Sequence, residues 1–203
     1  MEFQYLGGNA ILMTVKGRKF YFDSWLISGL AKKSVIKDED VVLLTQKRKY
    51  QSPSKLTFDS PGEYEISDVS ITGIQSKSFK ESESDVTMFK VTTNEINVLI
   101  TGSINPDISE SMLEKIGMID VLIVPAGGFG ETLNPNDALK IVKSIEPKIF
   151  IPTYYKDGTE NLYSIDEIVS QLGMEITEKT NKYKAKVSEL TDKTQLVVIE
   201  KNN

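Results

Sequence analysis

Residues 40–55 read DVVLLTQKRKYQSPSK. Four apolar residues, Val41 to Leu44, and a threonine run directly into Gln46-Lys47-Arg48-Lys49-Tyr50-Gln51, and a Ser-Pro turn follows. A short run that is apolar at every position reads as a strand buried on both faces, as in α/β proteins. The polar loop after such a strand is where these proteins place ligands and catalytic groups. Here the loop carries amides, a guanidinium, ammoniums and a phenol, and no histidine.

Histidine is missing from the whole chain, and so is cysteine. Without cysteine, disulfides and thiolate metal sites are excluded, and a reducing compartment is permitted. Without histidine, the commonest ligand of catalytic zinc and the commonest general base near neutrality are both lost. Any metal would have to sit among carboxylates and carbonyls, a donor set suited to magnesium, calcium or manganese. No DxDxDG-type loop supplies one.

The chain has 203 residues, 39% of them hydrophobic and 26% charged, with a net charge of −5. That length buries a sizeable core, and no linker or repeat divides it, so residues 1–203 read as one domain. The acidic balance gives no ground for nucleic acid or an anionic membrane as partner. The opening MEFQYLGGNA has no basic start or long apolar run, and no stretch approaches the roughly 20 apolar residues of a membrane span. The expected location is the cytoplasm.

The first half is strand-rich: Phe3–Leu6, Ala10–Val15, Lys19–Phe22, Val41–Thr45 and Leu56–Phe58, then hairpins Glu63–Ile66 with Val69–Ile74 and Thr87–Thr92 with Ile96–Thr101. Trp25 to Ile36 reads as irregular or a short helix. After Thr101 the pattern alternates. Ser109–Ile116 is expected to be helical, Asp120–Val124 a strand, and Asn134–Ile145 a helix capped by Asn134 with Pro135 in its first turn. Lys148–Pro152 is a strand, Ser164-Ile165-Asp166-Glu167 a capping box opening a helix to Leu172, and Gln195–Ile199 a last strand. Hairpins followed by strand–helix units predict two sheets with helices outside them.

In this order the segments YLGGNAILMTVKGRKFYFDS, DVVLLTQKRKYQ, SPGEYEISDVSITGI, INVLITGS, IDVLIVPAGG and IEPKIFIPTYY resemble the metallo-β-lactamase fold superfamily, in particular its small bacterial branch similar to ascorbate-6-phosphate lactonase. The resemblance covers about Phe3 to Tyr155 and implies an α/β fold, a four-layer αββα sandwich. Asp23 matches the aspartate that ends the family's opening hairpin. The family's HxHxDH metal-binding loop is matched by Gln46, Arg48, Tyr50 and Gln51, its bridging Gly-Asp by Gly102-Ser103, and the histidine of its Pro-x-His by Tyr154. A further histidine position falls near Ser76 to Ser78. The resemblance thus implies a fold whose matched ligand positions are all substituted, and zinc hydrolysis by the family mechanism is not expected. No cofactor is expected.

Arg48 stands at a position the resemblance gives to a metal ligand, and its planar fork suits a carboxylate or phosphate. With Gln46, Tyr50, Gln51, Ser103 and Tyr154 it makes a candidate anion pocket, with Gly127 and Gly128 as turn residues at the rim because paired glycines usually serve positive φ. The alternative is a relic cavity in which these groups satisfy one another. Lys47, Lys49 and Lys55 read as a solvated basic loop. VLIVPAGGFGET fits neither GxGxxG nor GxxxxGK[ST]. Glu63 and Glu65 share one strand face, as on an exposed hairpin. Tyr154, Tyr155 and Trp25 read as packing residues.

The leading expectation is a metal-free, catalytically inactive binding or structural module. Its candidate partners are an anionic small molecule and a second copy of the chain in a homo-oligomer; no membrane is expected as a partner. The alternative is a metal-independent, lactonase-like hydrolase acting on an anionic small molecule, although no nucleophile–base pair is visible. Nucleic-acid binding lacks the required aromatic and basic pattern.

Overall fold

A computed structural model describes residues 1–24, 36–47, 51–82, 84–156, 158 and 161–201. The expectation for Trp25 and its neighbours up to residue 35 falls outside these, as do Arg48, Lys49 and Tyr50.

Alternation decides how the first strands face. In β1 (Glu2–Gly7), β2 (Ala10–Val15), β3 (Arg18–Phe22) and β4 (Val41–Leu43), the residues Phe3, Tyr5, Ile11, Met13, Phe20, Phe22, Val41 and Leu43 join the main core. The intervening Leu12, Tyr21 and Val42, with Ile36 and Leu44, form a second cluster on the opposite face. This is the period of two that a pleated strand imposes, with both faces apolar.

Among the described residues two sheets form. The six-stranded sheet has the order β13-β1-β2-β3-β4-β5, with β5 at Leu56–Phe58 and β13 at Tyr183–Lys184. The eight-stranded sheet runs β12-β14-β11-β10-β9-β8-β7-β6. Its members are β6 (Gly62–Ile66), β7 (Val69–Ser76), β8 (Val86–Thr92), β9 (Asn97–Ile100), β10 (Val121–Pro125), β11 (Ile149–Thr153), β12 (Ile176–Thr180) and β14 (Gln195–Ile199). Strands β3, β4 and β5 are parallel, as are β9, β10 and β11. The carboxyl ends of both parallel groups meet at one end of the molecule, where the loops after them can converge.

The helices follow their caps. Ser109 caps α1 (Glu110–Ile116), accepting from the Met112 amide, and Asn134 caps α2 (Pro135–Ile145), accepting from the Asp137 amide. Ser164 and Glu167 form the full capping box of α3 (Ile165–Leu172). The apolar stripe of α2 buries Ala138, Ile141 and Val142; α2 packs on β10, and α3 packs on α2. Two packed sheets with these helices fit the α/β sandwich expected above.

Two differences from the sequence reading have physical causes. The strand expected over Val41–Thr45 ends at Leu43, because the Thr45 amide turns to the Asp23 carboxylate at 2.7 Å instead of continuing the ladder. Residues 173–194, read without any element, contain β12, β13 and a single 3-10 turn at Val187–Glu189. Strand β12 (ITEKT) is an edge strand with Thr177, Glu178 and Lys179 exposed, so it lacks a clear apolar alternation. Strand β13 has two residues, pairing Tyr183 with Phe3 and Lys184 with Glu2.

Candidate functional site

The strand-end site is built around Asp23, the residue after β3. Its φ is +47°, a left-handed conformation uncommon for a residue other than glycine, and its amide donates to the Leu43 carbonyl at 2.9 Å. That bend turns the carboxylate toward the end of β4. There Oδ1 accepts from the Thr45 amide at 2.7 Å, and Oδ2 accepts from Thr45 Oγ1 at 2.8 Å and from Asn9 Nδ2 at 2.6 Å. Asn9 Oδ1 in turn accepts from Thr153 Oγ1 at 2.7 Å.

Asn9, Asp23 and Thr45 come from the six-stranded sheet and its loops, and Thr153 ends β11 of the other sheet. All four are buried, with Thr153 at 0% and Asp23 at 2% exposure. A buried carboxylate is costly unless charge-assisted hydrogen bonds compensate it, and here the Thr45 amide, the Thr45 hydroxyl and the Asn9 amide supply them. Two backbone bonds reinforce the join between the sheets: the Thr87 amide to the Thr45 carbonyl at 2.8 Å, and the Tyr154 amide to the Gly8 carbonyl at 2.7 Å.

Of the residues expected from the sequence, Gln46, Gln51, Ser103 and Tyr154 lie among the described ones. Gln46 follows Thr45 directly and is partly buried, whereas Gln51 is exposed. Arg48 and Tyr50 lie outside the described residues. Ser103 is partly buried, and its hydroxyl shares a 2.8 Å hydrogen bond with that of Thr132. The Phe79 amide donates to the Ser103 carbonyl at 3.0 Å, and the adjacent Ser78 is buried and bridged to Ile104. Tyr154 is partly buried, at φ +57°. Tyr155 is a packing residue: its ring lies 4.9 Å from that of Tyr5, and its hydroxyl donates to the Ile199 carbonyl at 2.6 Å.

The rim glycines are there for two different reasons. Gly128 has φ +72°, the conformation anticipated for both. Gly127 does not have positive φ; a Cβ on it would come within 1.8 Å of the Tyr154 carbonyl oxygen, so the requirement is close backbone approach. Gly127 and Tyr154 are thereby in direct contact. Asn9, Thr45, Thr132 and Thr153 were not singled out in the sequence. Asn9 was signalled only as a polar residue after Gly7-Gly8 and Thr45 and Thr153 only as threonines closing apolar strands, while Thr132 sits in the loop before α2 with no signal of its own.

The resemblance implies zinc, and the residues present do not fit it. Zinc needs thiolate, imidazole or carboxylate donors, usually three from protein at a catalytic site. Among the described residues no three His, Cys, Asp or Glu come together as a metal-holding group. Both oxygens of the Asp23 carboxylate accept hydrogen bonds, and the donors they take among the described residues are the Asn9 amide and the Thr45 amide and hydroxyl. Nor does Ser103 have a general base beside it in that bond, since its partner is another hydroxyl.

Comparison with known proteins agrees with this architecture. The pattern of the beta-lactamase superfamily domain matches residues 2–154. No curated protein matches the chain. Among solved structures, a protein from Thermotoga maritima described as an inferred Zn-dependent hydrolase of the metallo-beta-lactamase superfamily superposes with a TM-score of 0.79 at 23% identity, covering 99% of both chains. Igni18, a metallo hydrolase of Ignicoccus hospitalis, gives 0.64 at 14% identity over 98% of this chain and 94% of its own. YhfI of Bacillus subtilis, a metallo-beta-lactamase fold protein, gives 0.62 at 12% over 98% and 96%. At these identities the structures speak for the fold alone, and with the match over residues 2–154 they show that the chain belongs to the metallo-β-lactamase superfamily.

Proposed function

We propose that this chain uses the superfamily scaffold without a metal, as a binding module that takes a small anionic molecule at the ends of its parallel strands. The observation that carries the reading is the state of Asp23. Its carboxylate is committed to Asn9 and Thr45 in a clamp between the sheets, on a chain that has neither histidine nor cysteine. A site so constituted holds its geometry through hydrogen bonds, and the positive charge must come from a side chain.

Arg48 is the residue for that role. It is always charged and offers five donors in a planar fork, which pairs with carboxylate or phosphate in two parallel bonds. Gln46, Tyr50, Gln51, Ser103 and Tyr154 supply neutral donors and acceptors for the remainder of the ligand. Catalysis is not part of this reading, because a hydrolase without metal needs an activated nucleophile and Ser103 is bonded to Thr132.

Thermal unfolding with and without phosphate or sulfate tests it. Anion at about 100 times its dissociation constant adds about 2.7 kcal/mol of stability, which for a chain of this size is a rise of about 5–10 °C in Tm. Arg48→Ala is expected to abolish the rise. A variant that responds like the wild type removes the proposal.

A further inference from the structure

At the end of the molecule opposite the strand-end site, the β2–β3 hairpin, the β6–β7 turn and the segment before β4 enclose a cleft of about 420 Å³. Val15 and Val69 give it an apolar floor, and both belong to the main core. Its walls carry Lys16, Arg18, Lys19 and Lys37 against Glu39 and Asp40, an excess of two positive charges on a chain whose net charge is −5.

The carboxylates in the cleft are already engaged. Asp40 Oδ2 accepts from the Lys37 amide at 2.8 Å, and Glu39 Oε1 lies 3.8 Å from Lys37 Nζ. Arg18 lines the cleft and is anchored there by its Nη1, which donates to the Glu39 carbonyl at 3.1 Å. Neither Lys16 nor Lys19 forms an ion pair with a carboxylate among the described residues.

The hairpin turn supplies an independent sign. Val15 pairs with Arg18, so Lys16 and Gly17 make a two-residue loop, with φ +49° and +81°. Such a turn favours asparagine, aspartate or glycine at its first position, and an ordinary L-residue there is strained. The chain places a lysine at this point, giving up turn stability and bringing an ammonium to the cleft mouth. Strain of this kind is characteristic of functional positions.

We infer that this cleft is a second binding site, for a small organic anion carrying at least two negative charges, a phosphate ester or a polycarboxylate. Lys16 and Arg18 hold the charged groups, and the valine floor receives the carbon skeleton. The volume is that of a small-molecule site, and an acidic protein repels extended polyanions, so nucleic acid is not the occupant. This inference does not depend on the strand-end reading.

The test is calorimetric titration at low ionic strength with pyrophosphate and with citrate as probes, carried out on Arg48→Ala protein so that the strand-end loop does not contribute. One or both probes should bind, and added salt should weaken the binding. Tighter binding of pyrophosphate marks a phosphate ester, and tighter binding of citrate a polycarboxylate. Lys16→Asn should raise Tm, because asparagine suits the turn, and at the same time weaken binding about tenfold. Adding Arg18→Gln should weaken it further. The inference is overturned if neither probe binds, or if the better-folded Lys16→Asn protein binds as tightly as its parent.

Discussion

Asp23 is the residue on which the strand-end site turns, and its environment makes two outcomes calculable. Asp23→Ala leaves the Thr45 amide, the Thr45 hydroxyl and Asn9 Nδ2 without their acceptor in a buried place. At about 1–3 kcal/mol for each stranded donor, with partial relaxation, the loss of stability should be about 3–5 kcal/mol in urea unfolding, and added zinc should not restore it. Gly127→Ala forces a methyl group against the Tyr154 carbonyl, so it should cost about 2–4 kcal/mol. Gly130→Ala, at φ +75° with open space around it, should cost only about 1 kcal/mol, and paired unfolding curves separate clash from conformation. The sequence showed Asp23 as a strand-ending aspartate but not its partners. Asn9 and Thr153 are 144 positions apart, and nothing local to either announces that a hydrogen bond will join them.

Elements with strong local signals were readable, and those held by their neighbours were not. The capped helices α2 and α3 could be placed because Asn134 with Pro135, and Ser164 with Glu167, satisfy first-turn amides in ways visible within four residues. Strand β13 has no such signal and exists because Tyr183 pairs with Phe3 and buries its ring. Burial, with Glu178 and Glu189 adding to it, pushes the Tyr183 phenol up to about 12. Its ordinary value is about 10, so above that pH the unfolded chain loses a proton that the folded chain keeps. Stability should therefore fall between about pH 10 and 12, and burial with Asp40 raises Tyr21 in the same direction. Tyr183→Phe should flatten part of that fall when Tm is followed against pH. An unchanged alkaline slope would mean that the ring is not held as described.

For the whole molecule, the two sheets were legible because segment order carries the fold. Period-two strands come first and strand–helix units after, and the buried faces agree with that order from Phe3 to Phe150. The site was legible only as a set of positions. Ser103, Tyr154, Gly127 and Gly128 converge with residues unremarkable in sequence, because convergence is a property of two sheets closing on each other. One physical claim underlies the proposed function: the strand-end site takes its ligand through hydrogen-bonding groups and the Arg48 guanidinium, without a transition metal. Elemental analysis of the protein purified without added metal, joined to its Tm with and without chelator, tests this most directly. The account predicts no stoichiometric zinc, iron or manganese and an unchanged Tm; one or two equivalents of bound metal, with a Tm that drops on chelation, would contradict it.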